Sequence, residues 1–162
     1  EGFARPTFSG RQTAAASVRL YFSFPVDCGL ARPHVDLNQL TVPCSDYDAS
    51  VAFYKALGLR LIVDSPPRYA RFETEHGTTF SIHATGTALA NSGVVIYFEV
   101  DDVDRTVRQL KDKGLAFDEE PSDQSWLWRE AYLRDPSGNV ICIYHAGETR
   151  RYPPWRLDDA TV

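Results

Sequence analysis

Asp46-Tyr-Asp-Ala-Ser-Val-Ala-Phe-Tyr-Lys-Ala-Leu-Gly58 is a helix-and-stop signal whose recurrence later in the chain decides the architecture. Tyr47, Val51, Tyr54 and Leu57 recur every three or four residues, which places them on one helical face. Ser45, three residues before Asp48, has the spacing of a capping box and is expected to open the helix. Gly58 closes it as a left-handed cap. Before the helix, Leu37–Pro43 alternates as a strand should, and Pro43 marks its end. After it, Leu59–Val63, Tyr69–Thr74 and Thr78–Ala84 are expected as three strands, divided at Pro66-Pro67 and at His76-Gly77. The unit is therefore β-α-β-β-β.

The same order follows a second time. Val94–Val100 is expected as a strand, Asp102 caps a helix with Val103, Val107 and Leu110 on one face, and Gly114 closes it. Leu115–Phe117 begins the next strand; Trp126–Arg134 and Val140–His145 form a hairpin across Asp135-Pro-Ser-Gly138. At an offset of 56 residues Asp46 falls on Asp102, Val51 on Val107 and Gly58 on Gly114. At an offset of 61, Phe72 falls on Leu133, Gly77 on Gly138 and Ile82 on Ile143, so the second unit carries five extra residues, placed near Glu119–Ser125. A unit this short cannot bury a sheet face alone, and two copies, residues 37–84 and 93–145, must share a core. The expected fold class is α+β: two paired β-α-β-β-β modules forming a curved, mostly antiparallel sheet around a ligand cavity.

Composition narrows the function classes. The chain has 162 residues, 43% apolar and 24% charged, enough for one soluble core. Its formal charge of -5 disfavours nucleic acid and anionic membranes as partners. Cys28, Cys44 and Cys142 form no C-x-x-C pair and suit free thiols in a reducing cytoplasm. No apolar run reaches the roughly 18 residues that span a bilayer. Residues 1–36 are basic and rich in Ser and Ala, with a short apolar patch at Leu20–Val26, and are expected to be an arm or extension. The tail from 147 to 162 contains Arg150-Arg-Tyr-Pro-Pro-Trp-Arg156, whose prolines enforce an extended backbone suited to strapping the sheet or a second subunit. There is no phosphate-binding glycine loop, no G-x-S-x-G elbow and no H-E-x-x-H pair.

Leu37-Asn-Gln-Leu-Thr-Val42, the Asp46–Gly58 stretch and Asp135-Pro-Ser-Gly-Asn-Val-Ile-Cys-Ile143 together resemble the vicinal oxygen chelate superfamily, which includes glyoxalases, bleomycin-resistance proteins and extradiol dioxygenases. The resemblance covers residues 37–146. It implies paired modules opening onto a ligand cavity, and a homodimer. In metal-dependent members, His or Glu on the first and last strand of each module holds a divalent ion. Those positions correspond here to Gln39, Ser81, Val95 and Cys142, none of which is His, Asp or Glu. The expectation is that no metal or other cofactor is used.

Counting by twos from these positions gives the pocket face: Gln39, Ser81, His83, Tyr97, Cys142 and Tyr144, with Trp126, Trp128, Glu130 and Tyr132 alternating on the second hairpin. Such a wall suits a flat or extended organic ligand, although the same aromatics could equally fill a core or a dimer interface. His83 with Glu130 or Glu99 is the available acid-base pairing, but no spacing establishes a catalytic residue. Two classes stay open: a metal-free small-molecule binder, and a lactoylglutathione lyase-like or dioxygenase enzyme with relocated ligands.

Overall fold

A computed structural model describes residues 35–86 and 93–157. The expected arm, residues 1–36, lies outside the described residues except at its end, as do the last five residues of the tail.

The order is β1 (Gln39–Cys44), α1 (Tyr47–Leu57), β2 (Arg60–Ser65), β3 (Tyr69–Glu73), β4 (Thr79–Ala84), then β5 (Val95–Glu99), α2 (Val103–Asp112), β6 (Phe117–Asp123), β7 (Arg129–Arg134) and β8 (Val140–His145). A short 3-10 helix, Gly147–Arg150, follows. Each module makes a four-stranded mixed sheet, in the order β1-β4-β3-β2 and β5-β8-β7-β6. In each, the first strand runs parallel to the last and the other pairings are antiparallel. The expected α+β class and module order hold, with two sheets that do not close into a barrel.

Both helices start as their sequences dictate, with one correction. Asp46, rather than Ser45, caps α1: its carboxylate accepts the Ala49 N–H at 3.0 Å. A carboxylate at this position also meets the positive end of the helix dipole, which a hydroxyl one residue earlier does not reach. Asp102 caps α2 through the Arg105 N–H at 2.9 Å. Gly58 ends α1 at φ 113°, where a side chain would be strained.

A single core unites the modules. Tyr54, Phe72, Phe80 and Ile82 of the first pack in one cluster with Val107, Leu110, Leu133, Ile141 and Ile143 of the second. Tyr54 sits 4.6 Å from Phe80, and Phe80 sits 6.0 Å from Phe98 of β5, ring centroid to centroid. The Asp135–Asn139 turn locks the modules by hydrogen bonds. Asp135 accepts from Tyr54 Oη at 2.7 Å, Asn139 Nδ2 donates to the Pro43 carbonyl at 2.9 Å, and Ser137 Oγ accepts the Ser45 N–H at 2.9 Å.

The second hairpin departs from expectation. The strand expected over Trp126–Arg134 begins only at Arg129, and β6, expected from Leu115, runs from Phe117 to Asp123. The extra residues are absorbed by two register shifts in β6 and by a wider turn with Leu127 at φ 71°. Trp126 therefore lies in the turn and does not alternate on the strand.

Candidate functional site

In a pleated sheet, residues two apart share a face, so the core-facing series Ile141, Ile143 leaves Cys142 and Tyr144 on the opposite side of β8. The parallel register sets Tyr97 beside Cys142 and Glu99 beside Tyr144. The antiparallel register with β7 sets Glu130 beside Tyr144 and Tyr132 beside Cys142. On this face Tyr97, Trp128 and Tyr144 form a ring cluster. Trp128 lies over Tyr144 at 5.0 Å, and Tyr97 meets both edge-on at 6.0 and 5.4 Å. Trp128 directly precedes β7, two residues from Glu130 and four from Tyr132, and packs on the same face as they do.

Glu130, beside Tyr144 in register, is 1% exposed. Its oxygens accept from Trp126 Nε1 at 2.9 Å and from Tyr132 Oη at 2.8 Å, both neutral donors. Among the described residues no cation pairs with it. Burial, and secondarily the hydrogen bond to Glu130, pushes the Tyr132 phenol far above its ordinary value. Burial, then the charge of Glu130, raises the Cys142 thiol to about 12. Tyr144 is raised to about 12 by burial and the neighbouring charge of Glu99. Glu99 is itself held by the tail, through Arg150 at 3.1 Å and the Gly147 N–H at 3.1 Å.

The equivalent face of the first sheet is polar. Gln39 Nε2 donates to Ser81 Oγ at 2.9 Å, Ser81 Oγ and Thr41 Oγ1 are 2.7 Å apart, and Thr79 Oγ1 donates to the Gln39 amide oxygen. His83 is exposed at the end of β4, paired in register with Tyr69 of β3. No hydrogen bond or ring contact among the described residues joins this cluster to the aromatic one. A cavity of about 470 Å3 wraps the free edge of β5, bordered by Leu40, Phe80, Val95, Tyr97 and Glu99.

The four positions at which the family resemblance implies a divalent ion offer poor donors. Gln39 spends its amide oxygen on Thr79 and its N–H on Ser81, Val95 offers nothing, and Cys142 is a fully buried thiol well above the range in which thiolates form. This set does not fit a hard divalent cation, which needs anionic oxygen or imidazole ligands. Among the described residues, no three His, Cys, Asp or Glu side chains gather to hold a metal.

Sequence reasoning placed Gln39, Ser81, His83, Tyr97, Trp126, Trp128, Glu130, Cys142 and Tyr144 around one shared pocket; in the structure Gln39, Ser81 and His83 stand on the first sheet, Tyr97, Glu130, Cys142 and Tyr144 on the second with Trp128 beside them, and Trp126 in the turn. Alternation also placed Tyr132 with Trp128 and Glu130, and the structure adds that its hydroxyl donates to Glu130.

Comparison with known proteins matches residues 36–143 to the Glyoxalase/Bleomycin resistance protein/Dioxygenase superfamily. YraH, an uncharacterised protein of Bacillus subtilis (strain 168), is 32% identical over 124 residues, 67% of this chain and 96% of that protein. A glyoxalase/bleomycin resistance protein/dioxygenase from Nocardioides aligns with TM-score 0.64 at 24% identity, covering 81% of this chain and 93% of that one. Lactoylglutathione lyase from Agrobacterium tumefaciens aligns with TM-score 0.59 at 18% identity, covering 70% and 96%. At these identities the structural likeness shows the fold alone.

Proposed function

Since the chain belongs to the glyoxalase/bleomycin resistance protein/dioxygenase superfamily, we propose that it is a small-molecule-binding protein working without the family's metal centre. One observation carries this reading: at the four ligand positions stand Gln39, Ser81, Val95 and Cys142, with the first two hydrogen-bonded to each other and the thiol buried. The ligand contacts would come from the aromatic face, with Tyr97 exposed to solvent and Trp128 beside it. Sequestration of a small organic compound, as in bleomycin resistance, requires only such a face and no reacting group. A cytoplasmic location and a homodimer belong to the same reading; the net charge of -5 disfavours nucleic acid and anionic membranes as partners.

The alternative is a lactoylglutathione lyase-like or dioxygenase reaction through relocated ligands. His83 favours it, standing two residues beyond Ser81 on β4 and so on the same face. Elemental analysis of protein purified without chelator separates the two. The binder reading expects no stoichiometric nickel, zinc, manganese or iron, and one equivalent of any of them overturns it. A thermal-shift screen of small organic compounds then supplies a ligand. Gln39→Ala, His83→Ala and Trp128→Ala are compared against it; retention of full affinity by all three overturns the assigned faces.

A further inference from the structure

We propose that the aromatic corner of the second sheet is a receptor for an organic cation, an alkylated or quaternary ammonium group seated against Tyr97 and Trp128 above the Glu130 carboxylate. This rests on the small-molecule-binding reading and adds the chemical class.

Three independent features converge on it. The first is charge. A carboxylate 1% exposed loses most of its hydration, and Glu130 recovers only two hydrogen bonds, both from neutral donors. Its negative field therefore has no counter-ion among the described residues. Low-dielectric surroundings carry that field to the outer surface of the rings. Glu99 adds a second carboxylate at the edge, partly balanced by Arg150.

The second is ring geometry. Tyr97 stands nearly perpendicular to both Trp128 and Tyr144, at interplanar angles of 83° and 84°. An edge-on pair leaves a right-angled corner with π faces on its walls, and Tyr97, 45% exposed, opens that corner to solvent. A cation of low hydration, such as a quaternary ammonium, exchanges little water for this contact, whereas a small ammonium would lose much more. The adjoining cavity of about 470 Å3, with Leu40, Phe80 and Val95 on its walls, offers room for an apolar body attached to the cation.

The third is strain. Leu127 is a non-glycine residue in the left-handed region at φ 71°, which costs backbone energy. That conformation lets Trp126 turn its N–H to Glu130 while Trp128 lies on Tyr144. Strain that serves both halves of one charged, aromatic cluster is accounted for by a site.

The test uses the full chain and two matched probes. Choline and 3,3-dimethylbutan-1-ol have the same shape and differ in charge. Indole N–H resonances of uniformly 15N-labelled protein are followed during titration, with benzyltrimethylammonium as a larger cation. Saturable shifts of the Trp126 and Trp128 signals by both cations, at least about tenfold weaker with the neutral alcohol, are the expected result. Glu130→Gln keeps an acceptor for Trp126 and offers the Tyr132 hydroxyl oxygen an N–H in place of the acceptor it now uses, and it should weaken choline binding at least about tenfold. Tyr97→Leu, at an exposed position that the fold does not need, should abolish it. Equal binding of the neutral alcohol, absence of shifts at Trp126 and Trp128, or unchanged affinity in both variants overturns the cation site. In each of those cases the small-molecule reading still stands if a compound from the thermal-shift screen loses affinity in Trp128→Ala or Gln39→Ala; it falls with the cation site only if all three screen variants bind unchanged.

Discussion

Tyr54 shows how one residue can belong to two modules. It is fully buried in α1, its ring touches Phe72 and Phe80, and its hydroxyl donates to Asp135 of the second module at 2.7 Å. Asp135 also takes N–H bonds from Ser137 and Asn139 at 2.9 and 2.8 Å. Tyr54→Phe keeps the packing and removes one bond to a buried charge, so urea unfolding should report a loss of about 1.5–3 kcal/mol. A loss under about 0.5 kcal/mol would mean that the Tyr54–Asp135 bond contributes nothing net. Cys142 makes a second residue-scale prediction. With its thiol raised to about 12, the thiolate fraction at pH 8 falls roughly a thousandfold below that of an ordinary cysteine. Reaction with Ellman's reagent in the native protein should leave Cys142 and the buried Cys44 unlabelled for hours and label both on denaturation; rapid native labelling of Cys142 would contradict its burial.

At the scale of elements, helix α1 distinguishes two residues that compete for one role. Asp46→Ala removes the cap to Ala49 and should destabilise by about 1 kcal/mol in thermal or denaturant unfolding. Ser45→Ala touches no helical N–H and should stay within about 0.5 kcal/mol. At the other end, Gly58→Ala would meet nothing within 4 Å, so steric room is not the issue. The φ of 113° alone should make it destabilising by about 1–2 kcal/mol. The apolar periodicity of α1 and α2, their stop glycines and the 56- and 61-residue offsets were legible because each is set by neighbours within a few turns of chain. The start of β7 was not. Trp126-Leu-Trp128 has strand-like composition, yet the extra residues of the second hairpin had to be taken up somewhere, and β6 bulges with a left-handed Leu127 took them up.

For the whole molecule, one core across both modules means that neither sheet buries its face alone. A fragment ending before β5 should lack cooperative unfolding by circular dichroism, while the 35–157 region should unfold in one transition. Alkali should unfold it too. Tyr47, held near about 12 by burial and by Asp64, and Tyr144, near about 12, are phenols raised above their ordinary value of 10.0. A raised phenol favours the folded state fully below pH 10 and loses that contribution as pH climbs toward 12. Tyrosinate absorbance should therefore rise together with loss of secondary structure in that window; smooth titration of a still-folded protein would contradict it.

The amino-acid sequence alone determined the duplicated β-α-β-β-β order, the helix faces and which strand residues point away from the core, because periods of 2 and 3.6 are local properties of a chiral chain. Its resemblance to the family also implied that Gln39, Ser81, Val95 and Cys142 stand where metal-dependent members carry charged or imidazole ligands. Only the tertiary structure decided that the Asp135 turn would grip α1, that Trp126 would leave the strand to hold Glu130, and that this carboxylate would lie buried beside Tyr144 with no cation paired to it among the described residues. Those contacts join residues through packing and through a hairpin whose width is not written in its periodicity, and burial of a charge depends on what covers it.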